Sequence, residues 1–141
     1  MNSFLAKPAL SRPLVVILED DNAVRRSLQL LLQGRGFDVK AYGSARALLD
    51  DPAGPEAACL VADYYLGDTD GIAVLENLRS RGWINPAILM TAFGSAELVE
   101  RARAAGFDEV FEKPLKDLAL TKALDRLAAR SLRPDEGSGA A

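Results

Sequence analysis

Apolar residues in this chain fall into two alternating kinds of segment, short unbroken runs and longer stretches that repeat at helical spacing. Leu14–Leu18, Ala58–Ala62 and Ala87–Met90 are unbroken, as expected for strands covered on both faces. Phe37–Ala41 alternates apolar and polar positions and predicts an edge strand; Glu109–Glu112 predicts a fifth strand. Between them, Val24, Leu28, Leu31 and Leu32 recur on one helical face, with Asn22 the expected cap and Gly34 and Gly36 the stop. Ser44 opens a short helix through Leu48 and Leu49, stopped by Pro52, Gly54 and Pro55. A helix after Gly71 turns Ile72, Leu75 and Leu78 inward and closes at Gly82. Another follows Ser95, carries Leu98, Val99, Ala102 and Ala105, and ends at Gly106. Leu120, Leu124 and Leu127 mark the last.

Strand and helix thus alternate five times, the pattern of an α/β protein with a parallel sheet. A (βα)5 chain of this size fits the flavodoxin-like doubly wound sheet with strand order 2-1-3-4-5. Ligands in such sheets bind at the carboxyl ends of the strands, so the residues there carry the functional reading. Strand one stops at Glu19, Asp20 and Asp21, strand three at Asp63, strand four at Thr91, and strand five runs into Lys113-Pro114. In the expected order strands one and three are neighbours at about 4.8 Å. Glu19, Asp20 and Asp63 then crowd one point, where like charges at about 5 Å repel by about 3 kcal/mol per pair at an effective dielectric near 20. A hard divalent cation with oxygen ligands, Mg2+ foremost, relieves that repulsion.

Composition narrows the chemistry further. The 141 residues suffice for one domain with its own core, and 49% hydrophobic with 26% charged residues is ordinary for a soluble globular protein. A net charge of −3 leaves no electrostatic footprint for nucleic acid. The chain has no histidine, which removes histidine triads, histidine metal sites and phosphohistidine on this chain. Cys59 is the single cysteine, so no internal disulfide forms; a buried inert thiol in a reducing, cytoplasmic compartment is expected. No run approaches the ~20 apolar residues of a membrane span. Residues 1–12 read as a tail, 13–131 as the domain, and 132–141 as a disordered tail rich in Pro, Gly, Ser and Ala.

The strand-end residues resemble a known family, the CheY-like receiver domain of two-component response regulators, over about residues 13 to 131. Glu19-Asp20 resembles its acidic doublet, with Arg25 five residues beyond Asp20. Asp63-Tyr-Tyr-Leu-Gly-Asp-Thr-Asp70-Gly71 resembles the phosphoacceptor pattern, Thr91-Ala92 the switch hydroxyl, and Lys113-Pro114 the Lys-Pro pair. The resemblance implies that Asp63 accepts a phosphoryl group from a phosphohistidine on a sensor histidine kinase or phosphotransfer protein, or from a small acyl phosphate. It implies Mg2+ held by Asp20, Asp63 and the backbone carbonyl of Tyr65, with Glu19 acting through water. Lys113 and Thr91 would bind phosphoryl oxygens, and the Lys113-Pro114 bond would be cis. The family turns over no external substrate; it catalyses its own phosphorylation and dephosphorylation and switches the binding of a downstream partner, with homodimerisation an open outcome. Neither nucleic-acid contact nor membrane insertion is implied for the domain itself.

Three departures carry consequences. Val110 occupies the position where many receivers place an aromatic, while Phe111 falls on the opposite strand face. The expectation is that Thr91 still moves and the output changes through its loop and the fourth helix. Gly67 replaces a frequent proline and is expected to loosen the loop after Asp63. Tyr65 and Phe93, each two residues beyond a site residue, are expected to modulate the lifetime of the phosphoryl group by restricting water. With no further domain in these residues, a single-domain regulator is expected, or equally a receiver from a longer regulator or hybrid kinase. The competing readings are a phosphorylation-independent receiver-fold binding module and a haloacid dehalogenase-type phosphatase, the latter prompted by Asp68-Thr-Asp70-Gly71. Asp21, Asp68 and Asp70 are expected to serve as turn or helix-start acids, with Asp70-Gly71 in turn or cap chemistry.

Overall fold

A computed structural model describes residues 12–131 of the chain; the expected tails, apart from Arg12, lie outside them. Strands β1 (Leu14–Leu18), β2 (Asp38–Tyr42), β3 (Cys59–Asp63), β4 (Ala87–Thr91) and β5 (Glu109–Glu112) form one parallel sheet. Their order is β2-β1-β3-β4-β5, as the alternation of elements predicts. Helices α1 (Asn22–Gly34), α2 (Ala45–Asp50), α3 (Gly71–Ser80), α4 (Ala96–Ala105) and α5 (Asp117–Ser131) cover both faces.

Strand alternation divides the core in two. Val15, Ile17, Cys59, Val61, Ile88 and Met90 face α1 and α5, meeting Leu28, Leu32, Leu120, Leu124 and Leu127. Val16, Leu18, Leu60, Ala62 and Leu89 face the other way, onto Leu48, Leu75, Leu78, Leu98 and Ala102 of α2, α3 and α4. Both faces of the central strands are therefore apolar, which is why their sequences read as unbroken runs. Cys59 is fully enclosed. Burial first, then the Asp108 charge, pushes its thiol up to about 12, leaving it inert as expected. Among the described residues no helix is long and apolar enough to cross a membrane.

Several boundaries differ from the sequence reading by a residue, β4 for instance running on to Thr91. The cap of α1 is Asp21, not Asn22: Asp21 has an extended backbone and its carboxylate accepts the Val24 amide at 3.0 Å. Asn22 is the first helical residue, and its side-chain oxygen accepts from Arg25 instead. Strand β2 starts one residue late because the Phe37 amide donates to Leu32 O at 3.1 Å, closing α1, while its ring enters the core. Strand β3 runs one residue further than expected, because Asp63 itself pairs in register with Met90. Ser44, Asp70 and Ser95 cap α2, α3 and α4 through their side chains.

Candidate functional site

Parallel strands deliver their C-terminal residues to one edge of the sheet, and four of the five do so here. β1 is followed by Glu19 and Asp20, β3 ends on Asp63, β4 ends on Thr91, and Lys113 follows β5. Oxygens of Glu19, Asp20 and Asp63 lie within 4.8 Å of one another. Glu19 is fully buried, Asp63 and Thr91 are nearly so, and Asp20 is exposed. The Lys113 ammonium bridges the two buried acids, 2.7 Å from Glu19 Oε1 and 2.9 Å from Asp63 Oδ2. These groups line a crevice of about 540 Å³ whose rim carries Tyr65 and Phe93, 69% and 75% exposed.

The electrostatics follow from burial and crowding. Burial pushes the Glu19 carboxyl above its ordinary range; hydrogen bonds from Lys113 and the Asp21 amide oppose this, and the Asp63 charge adds to it. For Lys113, burial alone would lower its value, but its bonds to Glu19 and Asp63 outweigh that and raise it. One ammonium thus faces three carboxylates. The surplus negative charge, set in oxygen ligands with Asp20 open to solvent, fits a hard divalent cation and would fit a soft metal poorly.

Backbone packing holds these groups in place. The Arg25 guanidinium donates to Glu19 O at 2.8 Å and lies against Gly43, where an added Cβ would sit 3.0 Å from Nη1. After Asp63 the chain makes a closed turn: the Gly71 amide donates to Tyr64 O at 2.7 Å, Leu66 to Thr69 O at 3.1 Å, and Tyr65 bridges Asp70. The expectation of a loosened loop at Gly67 is therefore corrected. Gly67 has φ +81°, which proline, fixed near −65°, cannot adopt; glycine serves the turn instead. Asp70 caps α3 by accepting the Ala73 amide at 2.8 Å, in keeping with the cap reading.

At Gly71 the helix start touches the acceptor strand. An added Cβ there would lie 2.5 Å from Asp63 O and 2.9 Å from Leu89 Cδ1. Gly71→Ala is expected to lower stability by about 2 kcal/mol, because backbone rather than a flexible side-chain end must yield. Urea denaturation measures this; an unchanged midpoint would contradict it. Nothing in the Asp70-Gly71 pair foretold that approach.

The structure places the remaining predicted residues as follows. The Thr91 hydroxyl is turned into its own loop, donating to Phe93 O at 3.1 Å and accepting the Phe93 amide at 3.2 Å. Val110 packs with the α3–α4 core while Phe111 packs on the opposite face, as strand alternation requires. The Lys113-Pro114 peptide is cis. The sequence reading missed Glu112, whose carboxylate accepts the Gly94 amide at 2.8 Å. The signal was its place directly before Lys113, opposite Thr91 once the register is known.

The fold and site define a class, a five-stranded parallel (βα)5 domain with an acid cluster and a lysine at the carboxyl edge of its sheet, and the sequence comparisons give the family. The profile of the response regulator receiver domain matches residues 15–125. The chain belongs to that family. It is 32% identical over 120 residues to the transcriptional regulatory protein FixJ of Bradyrhizobium diazoefficiens, covering 85% of this chain and 58% of that one. It is 31% identical to the response regulator protein TodT of Pseudomonas putida, covering 89% of this chain and 55% of TodT. The chain spans about half the length of the curated relatives it matches. In fold it resembles the receiver domain of a LuxO repressor protein from Vibrio parahaemolyticus, with a TM-score of 0.81 at 21% identity over 88% of this chain and 95% of that one.

Proposed function

We propose that this receiver domain takes a phosphoryl group onto Asp63 and switches the binding of a partner. The observation that carries this is the Lys113 ammonium held between two buried carboxylates, with a third carboxylate beside them at the mouth. Asp20, Asp63 and the Tyr65 carbonyl are the residues to hold Mg2+, with Glu19 acting through water; the ion would supply positive charge where the incoming phosphoryl oxygens gather. An Asp63 carboxylate oxygen attacks phosphorus, and a P–O bond to Asp63 forms. The P–N bond of a donor phosphohistidine, or the P–O bond of an acyl phosphate, breaks with its electron pair leaving on the donor. Such transfers pass through a loose transition state, so positioning and charge neutralisation do most of the work. Lys113, 2.9 Å from Asp63, is placed to follow the charge onto a phosphoryl oxygen. Thr91 binds another oxygen once its hydroxyl leaves the Phe93 backbone.

Receiver domains as a family do not turn over an external substrate, and the phosphoryl group on Asp63 is a signal carried by the domain itself. The donor is a sensor histidine kinase or phosphotransfer protein in the cytoplasm. The output is a changed face around the Thr91 loop and α4, read by a separate partner or by further domains of the kind the longer relatives have room for. The test is incubation with a small acyl phosphate and Mg2+, followed by intact-mass measurement. One phosphoryl group per chain is expected, and none after chelation; no uptake by the folded protein in Mg2+ would overturn the proposal and favour a phosphorylation-independent binding module.

Tyr65 and Phe93 stand over the crevice, where they hinder an attacking water. Removing either ring as alanine is expected to speed loss of the phosphoryl group by about threefold or more, equal to about 0.7 kcal/mol of barrier. A decay time course checks this; unchanged decay in both variants would count against it.

A further inference from the structure

Glu112 makes a contact that neither phosphoryl chemistry nor core packing requires. It is exposed, it ends β5, and its backbone lies in register with Thr91 across the sheet. Its carboxylate reaches along the sheet edge and accepts the Gly94 amide at 2.8 Å. A Cβ on Gly94 would lie 3.2 Å from Glu112 Cγ, so the side chain lies directly against that glycine. Gly94 immediately precedes Ser95, the cap of α4. Two adjacent residues therefore tie the loop from Thr91 to α4 at its ends, the Lys113 amide donating to Thr91 O at 2.8 Å and the Glu112 carboxylate accepting from Gly94. Within it, the Thr91 hydroxyl is occupied as both donor and acceptor by the Phe93 backbone.

We infer that Glu112 is a positioning residue that latches the β4–α4 loop in the arrangement in which the Phe93 backbone holds the Thr91 hydroxyl. This rests on the reading of Asp63 as phosphoryl acceptor. For Thr91 to bind a phosphoryl oxygen, the Phe93 backbone must release its hydroxyl and the loop must shift. A contact made in one state and lost in the other biases the equilibrium by its own free energy. The bond from a carboxylate to an amide is charge-assisted, hence stronger than a neutral one, though exposure moderates it here. The latch opposes the switched state, so its removal favours the phosphoryl-bound form.

The test is beryllofluoride binding, in Mg2+, by the full chain and its variants. Glu112→Ala is expected to bind about three- to tenfold more tightly than the parent. The same variant should show faster hydrogen exchange at the Gly94 amide in the absence of ligand. Glu112→Gln loses the charge but keeps an acceptor, and its gain is expected to be clearly smaller. In a Thr91→Ala background, adding Glu112→Ala should change affinity no further. Equal or weaker binding by Glu112→Ala would overturn the latch. So would a Gln variant matching the Ala variant, which would make the effect one of charge alone, or a gain that persists without Thr91. Failure of the parent itself to bind beryllofluoride would instead remove the phosphoacceptor reading on which the latch depends.

Discussion

Asp63→Asn is expected to take up no phosphoryl group from any donor while folding within about 1 kcal/mol of the parent. The two halves have different physical origins. An amide oxygen at this position is too poor a nucleophile to displace a leaving group from phosphorus, and neither Glu19 nor Asp20 can substitute. Glu19 is fully enclosed and already engaged by Lys113 and the Asp21 amide. Asp20 is exposed at the mouth, outside the hydrogen bonds that hold the other two acids. Stability survives because the change removes one of three mutually repelling carboxylates and leaves the Lys113–Glu19 pair at 2.7 Å intact. Intact mass after acyl phosphate treatment and a urea denaturation curve check the two halves. Uptake by the Asn variant would move the acceptor elsewhere; collapse of the fold would make Asp63 structural.

Lys113→Ala carries the second large effect, and here stability is the first casualty. The ammonium is the only side-chain cation that contacts the Glu19 carboxylate among the described residues, Arg25 reaching only the Glu19 backbone carbonyl. Removing it leaves a buried carboxylate with one backbone amide for company, a loss expected to reach about 3 kcal/mol. Glu19→Gln combined with Lys113→Met should recover part of that loss, because the fully buried charge is gone and only Asp63, nearly buried but lining the open crevice, is left without its cation. Phosphoryl uptake by the single Ala variant is expected to slow by about tenfold or more, since the cation that meets the transferring oxygens is gone. Urea denaturation of the parent, single and double variants distinguishes the cases. A single variant as stable as the parent would show that Glu19 does not need its partner.

Much of this arrangement was legible because the physics that shapes a buried parallel strand is local. Leu14–Leu18 could only be covered on both faces, and its polar successors Glu19 and Asp20 had to emerge at the carboxyl edge. The same reasoning put Asp63, Thr91 and Lys113 at that edge, and the structure gathers them around one crevice. Strand order came from a packing rule for (βα)5 chains, since no residue in β1 announces that its neighbours are β2 and β3. What stayed hidden was tertiary or depended on a single backbone angle. Asp21 and Asn22 are adjacent and chemically suited to the same cap; only the extended conformation of Asp21 decides between them. Phe37 fits an alternating strand pattern equally well as a core residue closing α1, and its amide bond to Leu32 settles it. Gly67 looked like a loosened loop, whereas its positive φ completes a tied turn. The approach of Gly71 to Asp63 and the bond from Glu112 to Gly94 each join segments distant in sequence, so pattern alone could not reveal them.

The most direct measurement of the central claim is chemical mapping of the phosphoryl group. Borohydride reduces an acyl phosphate on aspartate to the corresponding alcohol, homoserine, which marks the labelled position permanently for peptide mass spectrometry. After incubation with a small acyl phosphate and Mg2+, the conversion is expected at position 63 alone, and to vanish when the cation is chelated. Conversion at Asp20 or any other acid, with position 63 unmodified, would contradict the account.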